Sequence, residues 1–338
     1  MRKLLNTVYV TSETAYLSLD GENFVCREEN TVKAQIPFDN IESVVCMNYP
    51  GCSPALMGKC AQKLIPISFV SPQGEFLAKV YAGTRGNVFL RVRQIDCFRE
   101  NGLFLAQNSM AAKLANSVSV LKRTLHDAPE LRTDPQITHA IDFLTDAVDS
   151  VFAIDSYESL LGVEGACAKE YYGVLGKAFK NPEFHFDGRS KRPPLDPVNA
   201  VLSFLYTLFT NEFAAGLETV GLDSYIGFYH KLRSGRNSLA CDLVEEARCI
   251  VERFTITLFN LKILQQKDFR QEMGGAVYLN DEGRKKVITH WQEKKRSDIV
   301  HPYLKQKLQL GLLPYVQSNL LAKYVRGEIG EYPCYLNA

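Results

Sequence analysis

The stretch "AGTRGN", residues 82–87, separates two regions with different hydrophobic patterns. Before it, short runs rich in Val, Ile, Phe and Tyr are interrupted by Gly, Asn and Pro, as is typical of β-strands. After it, apolar residues recur with the period of an α-helix. The sequence therefore predicts an α+β protein, with a small β-rich domain at residues 1–82, a hinge at 83–92 and a larger all-α domain at 93–338.

The helical region contains the segments on which the functional argument depends. Periodic apolar residues predict helices at 157–175 and 239–254. Asp196 followed by Pro197 is a typical helix start, with a capping residue and then proline at the first helical position. The segment "MGGAVYLNDEG" at 273–283 predicts a β-hairpin, the exception in an otherwise helical region.

The composition is typical of a soluble globular protein that is long enough for two domains. The 338 residues carry a formal net charge of +1, so binding to nucleic acid depends on local basic clusters, and a histone-like mode of binding is excluded. The most apolar run, "VNAVLSFLYTLF" at 198–209, is too short for a membrane span and predicts a buried helix. Because no signal-peptide pattern is present, we expect a cytoplasmic location without a membrane partner.

Nine cysteines are scattered along the chain, and no two of them form a C-x-x-C pair. Structural zinc sites usually have such closely spaced ligands, so the sequence does not predict one. Dispersed cysteines in a cytoplasmic protein are typical of reduced, partly buried thiols.

One segment combines a histidine with a dense group of acids. In "FYHKLRSGRNSLACDLVEEAR", residues 228–248, His230 precedes a basic turn. On the helix that follows, Asp242, Glu245 and Glu246 lie within about 100° of each other around the axis. Carboxylates so close repel each other unless positive charge compensates them. Two interpretations are open: a solvated, charged helix face, or a site where carboxylates and one imidazole bind Mg²⁺ or Mn²⁺.

Another acid lies on the predicted helix 157–175. Glu164 is surrounded there by small or slender residues, which are Gly162, Val163, Gly165 and Ala166. Small residues let a neighbouring helix approach closely, and an acid in such a contact needs a partner. The alternative is that Glu164 faces water while the glycines face inward.

Basic residues cluster in two loops, "GRSKRPP" (188–194) and "KLRSGR" (231–236). The candidates for contact with DNA phosphates are Arg189, Lys191, Arg192, Lys231, Arg233 and Arg236. Each run alone is typical of a solvated surface, but basic groups beside an acidic metal site are suited to hold phosphates while the metal acts on one of them. On the acidic helix, Arg248 and Arg253 are candidate counter-charges.

Along its whole length the sequence resembles one known family. The segments that carry the resemblance include "SPALMGKCAQKLIPISFVSPQGEFLAKV" and "GVEGACAKEYY". The most specific feature is the order Glu … His … Gly-Arg-x-Ser-Leu-Ala-x-Asp-Leu-x-Glu-Glu. It resembles the CRISPR-associated protein one family, the endonuclease and integrase of spacer acquisition, in its type I-C form. The family often has a break after the Glu-Glu pair, whereas "EARCIV" here indicates that the helix continues.

The resemblance implies a metal site for Mg²⁺ or Mn²⁺ whose catalytic ligands are Glu164, His230 and Glu245. Asp242, one turn before the last of these, matches a position that assists the site. Whether Asp242 or Glu246 completes the ligand set stays open. Lys113 and Asn116, in "MAAKLANSV", fall where the family often has a lysine and an asparagine, and they are further candidates for DNA contact.

The activity that the resemblance implies is insertion of a short double-stranded DNA, the prespacer, at the repeat of a CRISPR array. A 3′-hydroxyl of the incoming DNA attacks the phosphodiester at the repeat end, and with water as nucleophile the same site is an endonuclease. The implied assembly contains homodimers joined through the β-rich domain, two dimers per complex, and a small second CRISPR-associated protein. Two alternatives are a metal-dependent nuclease acting on branched or damaged DNA, and a DNA-binding scaffold whose site has decayed. A cysteine-based zinc hydrolase is a more distant alternative, because the cysteines lack the spacing of zinc ligands.

Overall fold

The computed structural model describes most of the chain. The described residues are 6–29, 31–47, 50–71, 76–80 and 88–337. They fall into two compact units: the first contains the described residues up to 80 together with Ile288–Ser297 and Gln309–Leu312, and the second contains the rest. The limits 1–82 and 93–338 stay a prediction. Residues 83–87 of the predicted hinge lie outside the described residues, and residues 88–92 begin a helix.

The first unit contains two four-stranded sheets and a helix. Its elements before residue 81 are β1 (Thr7–Val10), β2 (Ala15–Asp20), β3 (Asn23–Glu28), β4 (Thr31–Pro37), β5 (Ser43–Met47), β6 (Gly51–Cys52), α1 (Pro54–Gln62), β7 (Ile67–Val70) and β8 (Phe76–Val80). One sheet has the order β1-β5-β7-β8, with β8 as the antiparallel member. The other has the order β4-β3-β2-β6, in which β6 is parallel to β2 and the remaining pairs are antiparallel.

Alternating side chains give these sheets a buried face. In β2, the exposed Tyr16 is followed by the fully buried Leu17. Phe24, Leu56 and Ile67 join Leu17 in one apolar core and are also fully buried. Burial of each such side chain contributes about 1.5–3 kcal/mol, which is why these short strands are stable together. The strands predicted for this region are confirmed.

The second unit is mainly helical. Its principal elements are α2 (Val88–Asp127), α3 (Pro135–Ser150), α4 (Tyr157–Leu175), α5 (Pro197–Val220), α6 (Ser238–Asn260), and α8 (Leu313–Val325). The residues of a further helix, α7 (Asp281–Lys295), are divided between the two units. Two short strand pairs follow α6: β9 (Phe269–Gln271) with β10 (Val277–Leu279), and β11 (Asp298–Val300) with β12 (Lys307–Gln309).

The predicted α+β class is confirmed, and several elements lie where the sequence predicts them. The helix predicted at 157–175 is α4, and α6 continues to Asn260 as "EARCIV" indicates. The predicted hairpin is the antiparallel pair β9–β10, but it lies earlier than 273–283 because Asp281 begins α7. The pair β11–β12 was not predicted, since three-residue strands are too short to show a period. All nine cysteines are free, as expected.

Two helices determine the surroundings of the acids. α6 packs against both α2 and α5, and most of its side chains are buried. Polar side chains on α6 therefore need partners inside the protein. By length and composition alone, α5 could cross a membrane. However, 61% of its most apolar 18-residue stretch is buried inside the protein. No other helix among the described residues meets that criterion, and the predicted buried core helix agrees with this burial.

Candidate active site

Two glutamates on different helices converge on one point. Glu164 lies on α4 and Glu245 on α6, and the ammonium of Lys113, on α2, lies between them. Nζ of Lys113 is 2.6 Å from Oε1 of Glu164 and 2.6 Å from Oε2 of Glu245. The side chain of Glu164 is 22% exposed and that of Glu245 is 9% exposed, so the cluster is shielded from water yet open on the Glu164 side.

The other oxygen of each carboxylate is held by a different donor. The hydroxyl of Tyr229 donates to Oε2 of Glu164. Nη1 of Arg248 donates to Oε1 of Glu245 at 3.0 Å. Oε2 of Glu245 is buried and lies 2.6 Å from the ammonium of Lys113. Each carboxylate therefore has one oxygen fixed by a protein donor and one oxygen turned towards the shared point.

Burial and neighbouring charges act in opposite directions on this cluster. Burial favours the neutral form of Glu245, but the positive charges of Arg248 and Lys113 outweigh it and hold the pKa of this carboxyl below its usual range. The pKa of Glu164 is also lowered, because attraction to Lys113 outweighs burial and repulsion by Glu245. The two carboxylates in turn outweigh burial and raise the pKa of Lys113. The cluster is therefore ionic at neutral pH.

His230 lies beside the cluster in the loop between α5 and α6, and Asp242 holds it. Nδ1 of His230 is 2.6 Å from Oδ1 of Asp242. The same carboxylate accepts the backbone N–H groups of Phe228 at 2.8 Å, Tyr229 at 3.1 Å and His230 at 2.9 Å. A side chain at Gly227 would place its Cβ 2.5 Å from Oδ2 of Asp242, so this approach requires glycine. Because Nδ1 is used, Nε2 is the ring nitrogen left for a ligand.

Glu246 belongs to a different contact, where α6 meets the C-terminal segment. Its carboxylate accepts hydrogen bonds from the hydroxyl of Tyr332, the amide of Gln317 and the backbone N–H of Tyr335, at 2.6–2.9 Å. Burial raises its pKa. Asn116 extends this contact, because its Nδ2 donates to the carbonyls of Glu246 and Tyr335 at 2.7 and 2.9 Å. Asn116 is 2% exposed, so the DNA contact predicted for it finds no open surface.

The comparisons with known proteins agree with one another. Residues 8–293 match the family model described as "CRISPR associated protein Cas1". A CRISPR-associated endonuclease Cas1 of Rhodospirillum rubrum is 40% identical over 351 aligned positions, which cover 98% of each chain. Another, of Chlorobaculum tepidum, is 38% identical over 98% of each chain. The chain belongs to the Cas1 family.

Solved structures show that this Cas1-family chain has the fold of its relatives. A Cas1 protein from Thermotoga maritima superposes with a TM-score of 0.81 at 22% identity and covers 96% of this chain and 97% of its own. A casposase bound to integration product gives a TM-score of 0.82 at 21% identity, covering 97% of this chain and 92% of its own. A chain of a Cas6-RT-Cas1–Cas2 complex gives 0.85 at 20% identity, covering all of this chain and 37% of that one.

In this Cas1-family chain the three neighbouring acids of α6 have three different partners. Asp242 binds the His230 loop, Glu245 faces Glu164, and Glu246 binds the C-terminal segment. The interpretation as a solvated helix face is wrong, because Asp242 and Glu246 are fully buried and Glu245 is 8% exposed. In the part of the chain that the structure describes, no three His, Cys, Asp or Glu side chains form a ready metal site. Two carboxylates converge, and the third member is Lys113.

The basic candidates fall into two groups. Lys191, Arg192, Lys231 and Arg233 lie at the surface, and Arg236 is half-buried. Arg189 instead fixes its own loop to α5, since it donates to Oδ1 of Asn199 at 2.7 Å and to Oγ of Ser203 at 3.0 Å. The predicted counter-charge Arg248 is confirmed for Glu245, whereas Arg253 pairs with Asp127 at 2.9 Å.

The small residues of α4 leave open space beside Glu164. Gly162 and Gly165 are exposed, and a Cβ on either would meet nothing within 4 Å. Neither interpretation of these glycines holds, because they lie at the surface instead of against a neighbouring helix or facing inward. A cleft of about 920 Å³ lies along this face, and its lining includes Gly165, Tyr172 and Lys191. The cleft thus begins at the residue after Glu164 and carries basic groups, Lys169, Arg189 and Lys191, together with the acids Glu170 and Asp187.

Sequence reasoning missed a buried group that supports Glu245. Arg248 donates to the hydroxyl of Tyr172 at 3.1 Å and stacks over the ring of Tyr206, 4.1 Å from its centroid. Both hydroxyls donate to Oε1 of Glu252, at 3.0 and 2.8 Å. Glu252 lies two helical turns after Glu245 on α6, so it lies on the same side of that helix. The seven-residue spacing between Glu245 and Glu252 is the sequence feature that could have predicted this group.

Proposed function

We propose that this chain is a metal-dependent DNA endonuclease and integrase that inserts prespacers into a CRISPR array. The observation that carries the proposal is the convergence of Glu164 Oε1 and Glu245 Oε2 on one cation, each at 2.6 Å. The names of the curated relatives, Cas1 endonucleases at up to 40% identity over almost the whole chain, support a nuclease. The shared fold of a casposase bound to integration product is consistent with strand joining. We retain the type I-C form as part of this proposal.

The donors present suit Mg²⁺ or Mn²⁺. Two carboxylate oxygens and Nε2 of His230 are the hard ligands and single imidazole that such ions accept. Oε2 of Glu245 is buried, and the group beside it is the ammonium of Lys113 at 2.6 Å, so this oxygen already lies at a position that suits a cation. The chemistry that a bound divalent cation supplies here is Lewis-acid activation of a phosphodiester. The proposed ligands are thus Glu164, His230 and Glu245.

The two acids left open by the sequence have other roles in this proposal. Both oxygens of Asp242 accept hydrogen bonds from the His230 loop, so Asp242 orients a ligand instead of serving as one. Glu246 is engaged by the C-terminal segment and stabilises α6. Neither side chain completes the ligand set. Protein groups that orient a ligand in this way typically affect metal affinity without touching the metal.

The surface cations hold the DNA. Lys191, Arg192, Lys231 and Arg233 are the residues that we assign to phosphates, with a contribution from the half-buried Arg236. Lys191 lines the cleft along α4 and interacts electrostatically with Glu245 and Arg248, so it brings a phosphate contact to the rim of the site. A DNA 3′-hydroxyl as nucleophile gives joining, and water gives cleavage, without a protein nucleophile.

We further propose a cytoplasmic homodimer that works with a small second CRISPR-associated protein, with two dimers in each complex. A chain that shares this fold belongs to a solved structure described as a Cas6-RT-Cas1–Cas2 complex, which supports such a partner. The second candidate function is a nuclease for branched or damaged DNA that needs neither the partner nor the array. It uses the same residues and differs in its products.

Strand transfer separates these functions. The chain and its small partner are mixed with a prespacer bearing free 3′-hydroxyls and a repeat-containing plasmid, in Mn²⁺ or in EDTA. We expect joining at repeat ends in Mn²⁺ alone, and none with Glu164→Gln or His230→Ala. His185→Ala, at an exposed loop position, is the matched control and should join normally. Joining in EDTA would contradict the metal proposal, and cutting without joining, indifferent to the repeat, would favour the second candidate.

A further inference from the structure

The position of Lys113 has a consequence for metal binding. Its ammonium contacts the two carboxylate oxygens that we assign to the metal, Oε1 of Glu164 and Oε2 of Glu245. We infer that Lys113 is an internal counter-cation of this carboxylate pair, and that a divalent cation has to displace its ammonium in order to bind. This inference rests on the proposed function, because it concerns the same metal site.

Charge balance supports displacement. Formally, Glu164, Glu245 and the neighbouring Glu252 carry three negative charges, and Lys113 and Arg248 carry two positive charges, so the group has one excess negative charge. A divalent cation added beside both cations would leave an excess of positive charge in a largely buried place, which is unfavourable. If the ammonium leaves, the group that contains the divalent cation is neutral. Arg248 is held by its hydrogen bond to Tyr172 and its stacking on the ring of Tyr206, so Lys113 is the cation able to move.

The geometry around Lys113 also permits displacement. A lysine ammonium is a point charge at the end of a flexible four-carbon chain, and it holds no planar, two-pronged contact here. A cavity of about 20 Å³ lies beside Lys113, and its lining includes Glu164, Tyr172 and Glu252. A space of that size holds about one water molecule, which is close to the size of an ammonium group. Its lining also includes Leu114, Leu144 and Ala168, so the space is mainly apolar, with carboxylate and hydroxyl groups at its edge. The side chain thus has a small space beside the carboxylates into which its end can move.

The test is the affinity for Mn²⁺ measured by calorimetry on the full chain. Lys113→Met keeps an unbranched, flexible side chain that is one atom shorter, and it removes the charge. We expect it to bind Mn²⁺ at least about tenfold more tightly than the natural chain, because the competing cation is gone. In EDTA the variant should melt at a lower temperature, since the carboxylates then repel each other, and Mn²⁺ should restore more of its stability. Lys122→Met, an exposed lysine on the same helix, is the matched control and should change neither quantity.

Unchanged or weaker Mn²⁺ binding by Lys113→Met would overturn the inference. Lys113→Gln provides a second neutral variant if the methionine variant does not fold, and the same tighter binding is expected of it. Glu164→Gln shows whether the calorimetric signal comes from this site, because this variant should no longer bind Mn²⁺ there. If the natural chain itself binds no Mn²⁺ at this site, the proposed function fails. If the natural chain binds Mn²⁺ and the Lys113 variants bind it equally tightly, only the inference that Lys113 competes with the metal fails, and the proposed function stands.

Discussion

Nδ1 of His230 lies 2.6 Å from Oδ1 of Asp242, and the carboxylate of Asp242 also accepts three backbone N–H groups of the His230 loop. One buried side chain therefore fixes both the imidazole ring and the backbone that carries it. Because a carboxylate accepts hydrogen bonds, this contact places the proton of a neutral imidazole on Nδ1. The lone pair of Nε2 is then directed away from Asp242 and is available to a metal.

Asp242→Asn should weaken metal binding without removing a ligand. An amide nitrogen would replace one acceptor and face N–H donors, so the loop and ring lose their fixed position. We expect Mn²⁺ affinity to fall about 10–100-fold, as is typical for groups that orient a metal ligand. Calorimetry measures this change. Asp223→Asn is the control, because Asp223 in the same loop accepts the backbone N–H of Tyr225 and lies outside the His230 contact. Full affinity in Asp242→Asn would show that Asp242 does not orient the ligand.

Asn116→Ala should lower stability and leave DNA binding unchanged. Its side chain connects α2 to the backbone of Glu246 and to the C-terminal segment, and the substitution leaves these buried groups without partners. We expect the free energy of unfolding to fall by about 1–3 kcal/mol, measured by urea denaturation. Asn101→Ala, at an exposed position of the same helix, should have a small effect. A loss of DNA affinity with unchanged stability would restore the contact predicted from sequence.

Arg233→Ala should weaken DNA binding, whereas Arg189→Ala should lower stability. Arg233 lies at the surface, so its loss should weaken DNA binding and reduce the slope of log affinity against log salt by about 1. Arg189 holds its loop to α5, so its loss should instead reduce the free energy of unfolding by about 1–3 kcal/mol. Fluorescence anisotropy over a salt series and urea denaturation measure the two effects. A normal salt slope in Arg233→Ala would remove Arg233 from the phosphate contacts.

DNA affinity should depend on pH through Lys191. Although Lys191 lies at the surface, the surrounding protein removes part of the hydration of its ammonium, and this loss and the positive charge of Arg248 lower its pKa to about 8. Lys191 is therefore charged below about pH 8 and loses its charge above it, whereas an ordinary lysine remains charged to about pH 10. Affinity of the natural chain should fall as the pH rises through this range. Lys191→Met should bind more weakly at neutral pH and show a flatter profile, and Lys169→Met, on the same cleft, should keep the natural profile. An unaltered pH profile in Lys191→Met would assign the titration to another group.

Much of the fold was predictable because local pattern and tertiary structure agree. Asp196 caps α5 and Pro197 is its first residue, as their local sequence predicts. The carboxylate of Asp196 accepts the backbone N–H of Asn199 at 2.8 Å. The site was less predictable. Tyr229 was not identified from the sequence, since a tyrosine before a histidine has no pattern that reveals a hydrogen bond to Glu164 on another helix. The glycines around Glu164 were misread for a related reason, because smallness alone does not show whether a helix or solvent lies opposite.

The acids of α6 show which features of the site follow from the sequence and which depend on tertiary structure. The sequence alone determined that residues 239–254 form a helix and that Asp242, Glu245 and Glu246 lie close together on it, because both follow from the 3.6-residue period. The partner of each acid was decided by tertiary structure alone. Neighbouring positions on a buried helix point about 100° apart, so each side chain meets a different neighbour, brought there by chain segments distant in sequence. The period fixes the directions, and the packing of the other helices and the C-terminal segment decides what lies along them.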